Sequence, residues 1–417
     1  MYTIVTPSQE KKSINKFVIF GLCMICYIFG GTISTLLSVY LPVAVPQLLQ
    51  RSVSEQELGS IGAYLNSSFI FGWMAGGLIS GFLSDKFGRI KILAISACFY
   101  GLFTFLVITV SDWHTLIFYR FFAGMGVGAV LVVSTVYISE IWDESSKPVA
   151  LSILSVGFPA GIILAGILNV FFSVWKHSFI LGVVPFIAGV LSFFILPESL
   201  SWQSTKYSNQ KDNINLFTPR FRPNIILGSL IFGSVLIGLW AVFSWLPTWV
   251  QGLTIGKTDG KTERGIAMMI MGTGAIMGGS FAGHLIKKWG IQMTLMFIFA
   301  GCFLSCLLLF ITNSSFSKIV FIEVALVAIF FGLSQSALSS FIPSLFPPSI
   351  RARATGFCFN IGRFFTGTAV FFVGNLVTVF GGFGNALLVF SVTFLIALLI
   401  VFLKFNRNKQ SGYEQKY

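Results

Sequence analysis

Charge is what this sequence has least of. Only 10% of its 417 residues are Asp, Glu, Lys or Arg, against about 25% in an ordinary soluble domain, so a water-facing globular fold is excluded for the whole chain. Acid is scarcer than base: 14 Asp and Glu stand against 27 Lys and Arg, a net charge of +13. No basic helix or aromatic RNA-binding motif accompanies that excess, so it reads as a topological bias rather than a nucleic-acid surface. The three histidines, His114, His177 and His284, are too scattered for a metal site. All six cysteines lie in apolar stretches, so Cys23-x-x-Cys26 reads as helix packing rather than a redox or zinc site, and no disulfide framework is implied. A Gly-x-x-x-x-Gly-Lys nucleotide loop is missing, as is any nucleophile–base pair. Neither an enzyme nor an ATP-driven pump is expected, and no cofactor.

What fills the chain instead is apolar: 55% hydrophobic residues and a mean hydropathy of +0.87. Charges gather in islands between runs of roughly 20 apolar residues, the length that crosses a bilayer as helix, and a β-barrel would alternate instead. The expected class is an all-α membrane protein with spans at 17–45, 58–82, 90–110, 116–139, 148–172, 178–196, 223–248, 264–286, 291–312, 318–341, 352–378 and 383–404. That makes an N-terminal six-helix bundle (1–196), a linker (197–222), a C-terminal six-helix bundle (223–404) and a tail (405–417). Lys11, Lys12 and Lys16 precede the first span without a convincing cleavage site, so it reads as a retained helix. Lys and Arg crowd one set of loops, including Lys86, Arg89, Lys91, Lys206, Lys287, Lys288, Arg351 and Arg353. The positive-inside rule then puts both termini in the cytoplasm, in a bacterial inner membrane.

The two halves are related. Gly72, Gly76, Gly77, Gly81 and Gly88 recur as Gly274, Gly278, Gly279, Gly283 and Gly290, every pair 202 residues apart, which reads as an internal duplication. The G-x-x-x-G spacings on spans two and eight predict tight helix packing or sliding at the junction of the halves. Lys287 stands in the second copy where the first has Asp85.

On these residues a family resemblance becomes specific. Gly81…Asp85-Lys-x-Gly88-Arg89 resembles the signature loop of the major facilitator superfamily of transporters, and Arg120-Phe-Phe-Ala-Gly124-Met-Gly126-Val-Gly128 is similar to its span-four signature. Glu140 with Lys147, and Pro197-Glu198-Ser199, resemble motifs that follow spans four and six. Arg351-Ala-Arg353-Ala-Thr-Gly356 with Asn360-Ile-Gly-Arg363 is similar to a run in the metabolite–proton symporter and organic-ion branch. That branch includes carriers of aromatic acids, niacin, sialic acid and small carboxylates. Members often carry a span-one carboxylate, which Tyr27–Ser34 lacks.

Three ionisable residues fall inside spans, where a charge costs about 2.5 kcal/mol or more: Arg120, Glu323 and Arg363. Arg363 lies near mid-span and suits a bidentate carboxylate, with Asn360 one turn away; a structural pair with a backbone carbonyl or Glu323 is the alternative. Glu323, with Arg120, is the candidate proton-coupling pair; a permanently ionised Glu323 locking Arg120 or Arg363 is the alternative. Trp240 and Trp245 are candidate cavity residues, with Trp249 in an outer-interface belt. Gln335, Asn66 and Tyr27 could touch substrate, or simply join helices. Asp85, Arg89, Glu140, Arg351 and Arg353 would form a cytoplasmic gate. The expected function is proton-coupled import of a small organic anion by a lipid-embedded monomer. The alternatives are an exporter of amphipathic cations or drugs, a sugar–proton symporter, and a membrane receptor or sensor on a transporter scaffold.

Overall fold

The computed structural model describes residues 15–207, 216–347 and 350–414. Its regular structure there is helical: α1 Lys16–Leu49, α2 Glu55–Phe87, α3 Arg89–Phe105, α4 Trp113–Ile141, α5 Lys147–Phe171, α6 Val183–Ile195, α7 Leu200–Tyr207, α8 Arg222–Leu253, α9 Lys261–Thr312, α10 Ile319–Ser344, α11 Arg351–Phe371, α12 Val373–Phe380 and α13 Phe383–Glu414.

These resolve into the twelve expected spans. Ten helical segments are long and apolar enough to cross a bilayer, and the α11–α12 pair, bent by 45°, makes an eleventh. The 52-residue α9 contains a non-helical Gly290 (φ 75°, ψ 162°) and so holds two spans. Gly290 and its duplicate Gly88 (φ 109°) both adopt positive φ, which glycine takes at little steric cost. The turn between the second and third spans of each half is thus built twice in the same way. Span six is composite, a 3₁₀ stretch Trp175–Gly182 running into α6. The linker begins with the short helix α7, where a polar connection is expected from the sequence. Helix starts follow local chemistry: Asp112 caps α4 by accepting from the Thr115 amide at 2.9 Å, and that bond holds its carboxyl below the usual range.

The start of α1, the α2–α3 turn, the end of α4 and α7 meet at one end of the bundle, where Lys16 binds Asp143, Arg89 binds Glu140 and the Trp202 indole donates to the Asp85 carbonyl; this is called the linker end below, and the other is the far end. Within each half the second span lies against the fourth. A Cβ at Gly76 would stand 1.8 Å from the Met125 carbonyl oxygen on α4, and one at Gly278 would stand 2.0 Å from that of Ile329 on α10. The duplicated glycines are therefore mainly packing devices inside a half, not sliding surfaces between halves; only Gly77 faces across, toward Asn360. Between halves α2 packs on α11 and α12, and α5 packs on α9. Other glycines close that seam. A Cβ on Gly59 would lie 3.2 Å from the Gly374 Cα, and one on Gly272 would lie 2.6 Å from the Pro159 carbonyl. Nearer the linker end Gly81, Gly283 and Gly356 have no such neighbour within 4 Å.

Candidate functional site

The signature glycines of α4 place an aromatic ladder. Gly124 lets the Phe69 carbonyl of α2 come within 2.1 Å of where a Cβ would stand, and Gly128 does the same for Trp73, one helical turn on. Phe69 and Trp73 are thereby fixed at 6.0 Å, edge to face. Trp73 packs on Phe158 of α5 and on Trp240 of α8, each with ring centroids 5.5 Å apart, and Arg363 of α11 lays its guanidinium over the Trp73 ring at 5.0 Å. Two helices from each half therefore converge on one indole.

Arg363 sits about 18 Å along α11 from Arg351 at 1.5 Å per residue, near the middle of the helix bundle. It is half-buried, and among the described residues no carboxylate lies within 4 Å of it. The alternative, an ion pair with Glu323, is not formed. Tyr27 on α1 is close enough to interact with it electrostatically, while its hydroxyl bonds Thr135 Oγ1 at 2.5 Å and the Leu131 carbonyl at 3.1 Å. Asn360, 5% exposed, spends its amide nitrogen on the Gly356 carbonyl at 2.9 Å and leaves Oδ1 buried without a partner. Gln335 likewise keeps a buried amide nitrogen unpartnered. The unmet Asn360 oxygen, one turn from an unpaired cation set over a ring, leaves polar capacity that a planar, charged guest could use.

Other candidates lie elsewhere. Arg120 is sealed in: it donates to the carbonyls of Ile33 (2.8 Å) and Ser34 (3.4 Å) and covers the Phe69 ring at 4.0 Å. Backbone oxygens and a ring face, not a carboxylate, offset its charge. Glu323 accepts from Thr312 Oγ1 at 3.0 Å and from the Asn313 amide, so it is joined to the end of α9 and pairs with neither arginine. Asn66 is 3% exposed and accepts from Ser38 at 3.3 Å, leaving its amide nitrogen unpartnered. Trp245 is fully buried, stacked on Phe383 at 5.2 Å, and so is packing rather than cavity wall. Trp249 is 7% exposed and edge-on to Phe310 at 5.0 Å. The belt expected there would need an exposed ring.

At the linker end Arg89 forks onto Glu140 (2.9 Å) and also binds Asp85, while Glu198 accepts from the Arg89 amide at 2.8 Å and from the Ile90 amide at 3.2 Å. This cluster stays within the first half. Arg351 donates instead to the Phe346 carbonyl at 3.2 Å, and Arg353 is exposed at the start of α11. Among the described residues no ion pair joins Asp85 or Glu140 to Arg351 in this conformation.

Sequence reasoning missed Trp73 and Phe158. A tryptophan wedged between Gly72 and Gly76 is the available signal, since glycines on both sides bring a neighbour close to it. It also passed over Arg264, which is 2% exposed and donates to Asn169 of the other half.

A family profile described as Major Facilitator Superfamily matches residues 21–370. The cis,cis-muconate transport protein of Acinetobacter baylyi is 25% identical over 376 residues, covering 87% of this chain and 89% of that one. The 3-(3-hydroxy-phenyl)propionate transporter of Escherichia coli is 27% identical over 352 residues, covering 83% and 85%. Among solved structures, the inward-open xylose transporter XylE from E. coli superposes with a TM-score of 0.76 at 16% identity, over 93% of this chain and 96% of that one, a likeness of fold.

Proposed function

This chain belongs to the Major Facilitator Superfamily, a multi-pass integral membrane protein of a transporter family, and from that premise we propose that it carries a small organic anion by alternating access. The observation that carries the reading is Arg363: a mid-bundle guanidinium set on the Trp73 ring, between the halves, with no carboxylate within 4 Å among the described residues. A carboxylate would meet two parallel N–H donors there, a geometry arginine supplies and lysine does not. An unsaturated or aromatic body would lie against the cluster that Trp73 makes with Trp240 and Phe158. The substrates named for the two relatives, muconate and hydroxyphenylpropionate, combine carboxylate with planar unsaturation, which supports the same class.

Proton-coupled import is the direction and energy source we propose. Glu323 is the one acid among the described residues with under a tenth of its surface exposed, so it is the proposed proton carrier, acting apart from Arg363 rather than through an ion pair with it. The linker end is read as cytoplasmic from its Lys and Arg, and the first-half cluster of Asp85, Arg89 and Glu140 is read as the gate there.

The test is uptake into proteoliposomes under an imposed pH gradient, offering cis,cis-muconate, 3-(3-hydroxyphenyl)propionate, xylose and a lipophilic cation together. Accumulation of a carboxylate supports the reading. Movement of the sugar or the cation alone refutes it.

A further inference from the structure

The far end is closed around a second arginine. Arg264, in the first turn of α9, is 2% exposed, and among the described residues no carboxylate comes within 4 Å of it. Asp259 on the adjoining loop reaches it only electrostatically, and Glu263 takes the Thr258 hydroxyl on Oε1 at 3.1 Å and leaves Oε2 buried without a partner, so neither carboxylate pairs with the guanidinium. What holds the guanidinium is two neutral amide oxygens. Its Nε donates to Asn169 Oδ1 on α5 at 3.1 Å, and its Nη1 donates to Gln251 Oε1 on α8.

Asn169 belongs to the other half, so this contact crosses the seam. The same side chain, fully buried, donates its Nδ2 to the Lys261 carbonyl at 2.7 Å. The helices meet tightly beside it: a Cβ on Gly265 would stand 3.0 Å from the Gly166 carbonyl oxygen. When this end opens, α5 must leave α9, and Asn169 must leave Arg264. Gln251 lies on the same half as the arginine and can stay. The opening thus uncovers a guanidinium aimed at the mouth and missing one acceptor. A carboxylate brings the opposite charge to that bond and can take two guanidinium N–H groups at once, which the single Asn169 carbonyl does not.

We propose that Arg264 is an anion-capture subsite: at the open far end the carboxylate of incoming substrate takes the place of the Asn169 carbonyl on Arg264, before the substrate descends to Arg363. This rests on the organic-anion reading above. Asn169 is the placeholder. Its neutral oxygen seals the cation when the mouth is shut and yields to a charged one when it opens. Gln251 orients the guanidinium in both states.

The test measures initial uptake of radiolabelled cis,cis-muconate and 3-(3-hydroxyphenyl)propionate by the full chain in proteoliposomes with the far end outward. Arg264→Gln raises the uptake KM tenfold or more, while KM for efflux, where substrate loads from the linker end, stays within about twofold. Arg264→Lys recovers part of the loss. Asn169→Ala, which removes the competing oxygen but leaves the cation, lowers the uptake KM or leaves it unchanged. A wild-type KM in Arg264→Gln overturns the proposal, as do equal shifts in the same direction from Arg264→Gln and Asn169→Ala, which a purely structural seal requires. Wild-type protein that moves neither anion overturns the parent reading along with this one; wild-type transport with an indifferent Arg264→Gln overturns this one alone.

Discussion

Replacing Arg363 by glutamine separates function from folding more sharply than any other change in this protein. In the fold the guanidinium contacts the Trp73 ring at 5.0 Å and no carboxylate among the described residues. The folded state therefore loses a cation–π contact of about 1 kcal/mol and sheds a cation that is costly in a membrane interior. The two terms oppose, so the apparent Tm in detergent should move by no more than about 2 °C. Substrate loses far more. Two hydrogen bonds from a cationic fork, roughly 1.5–3 kcal/mol each, give way to a single neutral amide donor; a net loss of about 3 kcal/mol is roughly a hundredfold in affinity. Arg363→Lys keeps the charge and loses the fork, so it should sit between, near tenfold. Binding by isothermal calorimetry on purified variants, paired with thermal melts, reads both quantities. Unchanged affinity in Arg363→Gln would refute the site; a collapse in Tm would show Arg363 to be structural.

Arg120→Gln should behave in the opposite way, lowering Tm through about 1–2 kcal/mol of lost bonds to the Ile33 and Ser34 carbonyls while correctly folded protein keeps its substrate affinity; loss of affinity in well-folded protein would contradict this. Glu323→Gln should abolish uphill accumulation driven by a pH gradient yet retain counterflow exchange, and full uphill transport would remove Glu323 from coupling. Gly76→Ala and Gly278→Ala, each forcing a Cβ to about 2 Å from a carbonyl oxygen, should destabilise by 1–3 kcal/mol or more as overpacking does; Gly81→Ala and Gly283→Ala, with no neighbour within 4 Å, should be neutral or slightly stabilising in melts, and equal effects at all four would refute the packing account. Gly88→Ala meets a positive φ and the Glu198 carboxylate 2.3 Å from its Cβ, so it should loosen the Glu198 cap of α3 and lower Tm; a wild-type melt would refute that strain.

The fold was legible because it rests on signals that survive in one dimension. Span length, the spacing of Gly72, Gly76 and Gly88, and their copies all encode contacts local to a half, and the structure places each pair alike. Arg363 was legible for a related reason, since a charge in an apolar run is conspicuous wherever it points. Its surroundings were not. Glu323 was expected to meet an arginine because both are expensive in lipid, but a threonine hydroxyl and an asparagine amide satisfy it locally, a solution no hydropathy profile distinguishes. Trp249 read as a belt residue from its position near a span end, whereas α8 turns it toward Phe310. Arg264 was passed over because it stands at the edge of the apolar run, whereas the helix begins three residues earlier, at Lys261. Contacts across the seam depend on how the halves lie together, which periodicity within either half does not carry.

The central claim is that a carboxylate, not merely a ring, is recognised between the halves. Uptake of 3-(3-hydroxyphenyl)propionate against its amide by the wild-type chain tests it most directly, since the pair shares ring, hydroxyl and length and differs in the charge that Arg363 would hold. The account predicts that the acid enters and competes while the amide does neither, and that Arg363→Gln erases the difference. Equal entry of acid and amide into vesicles holding the wild-type chain would contradict it.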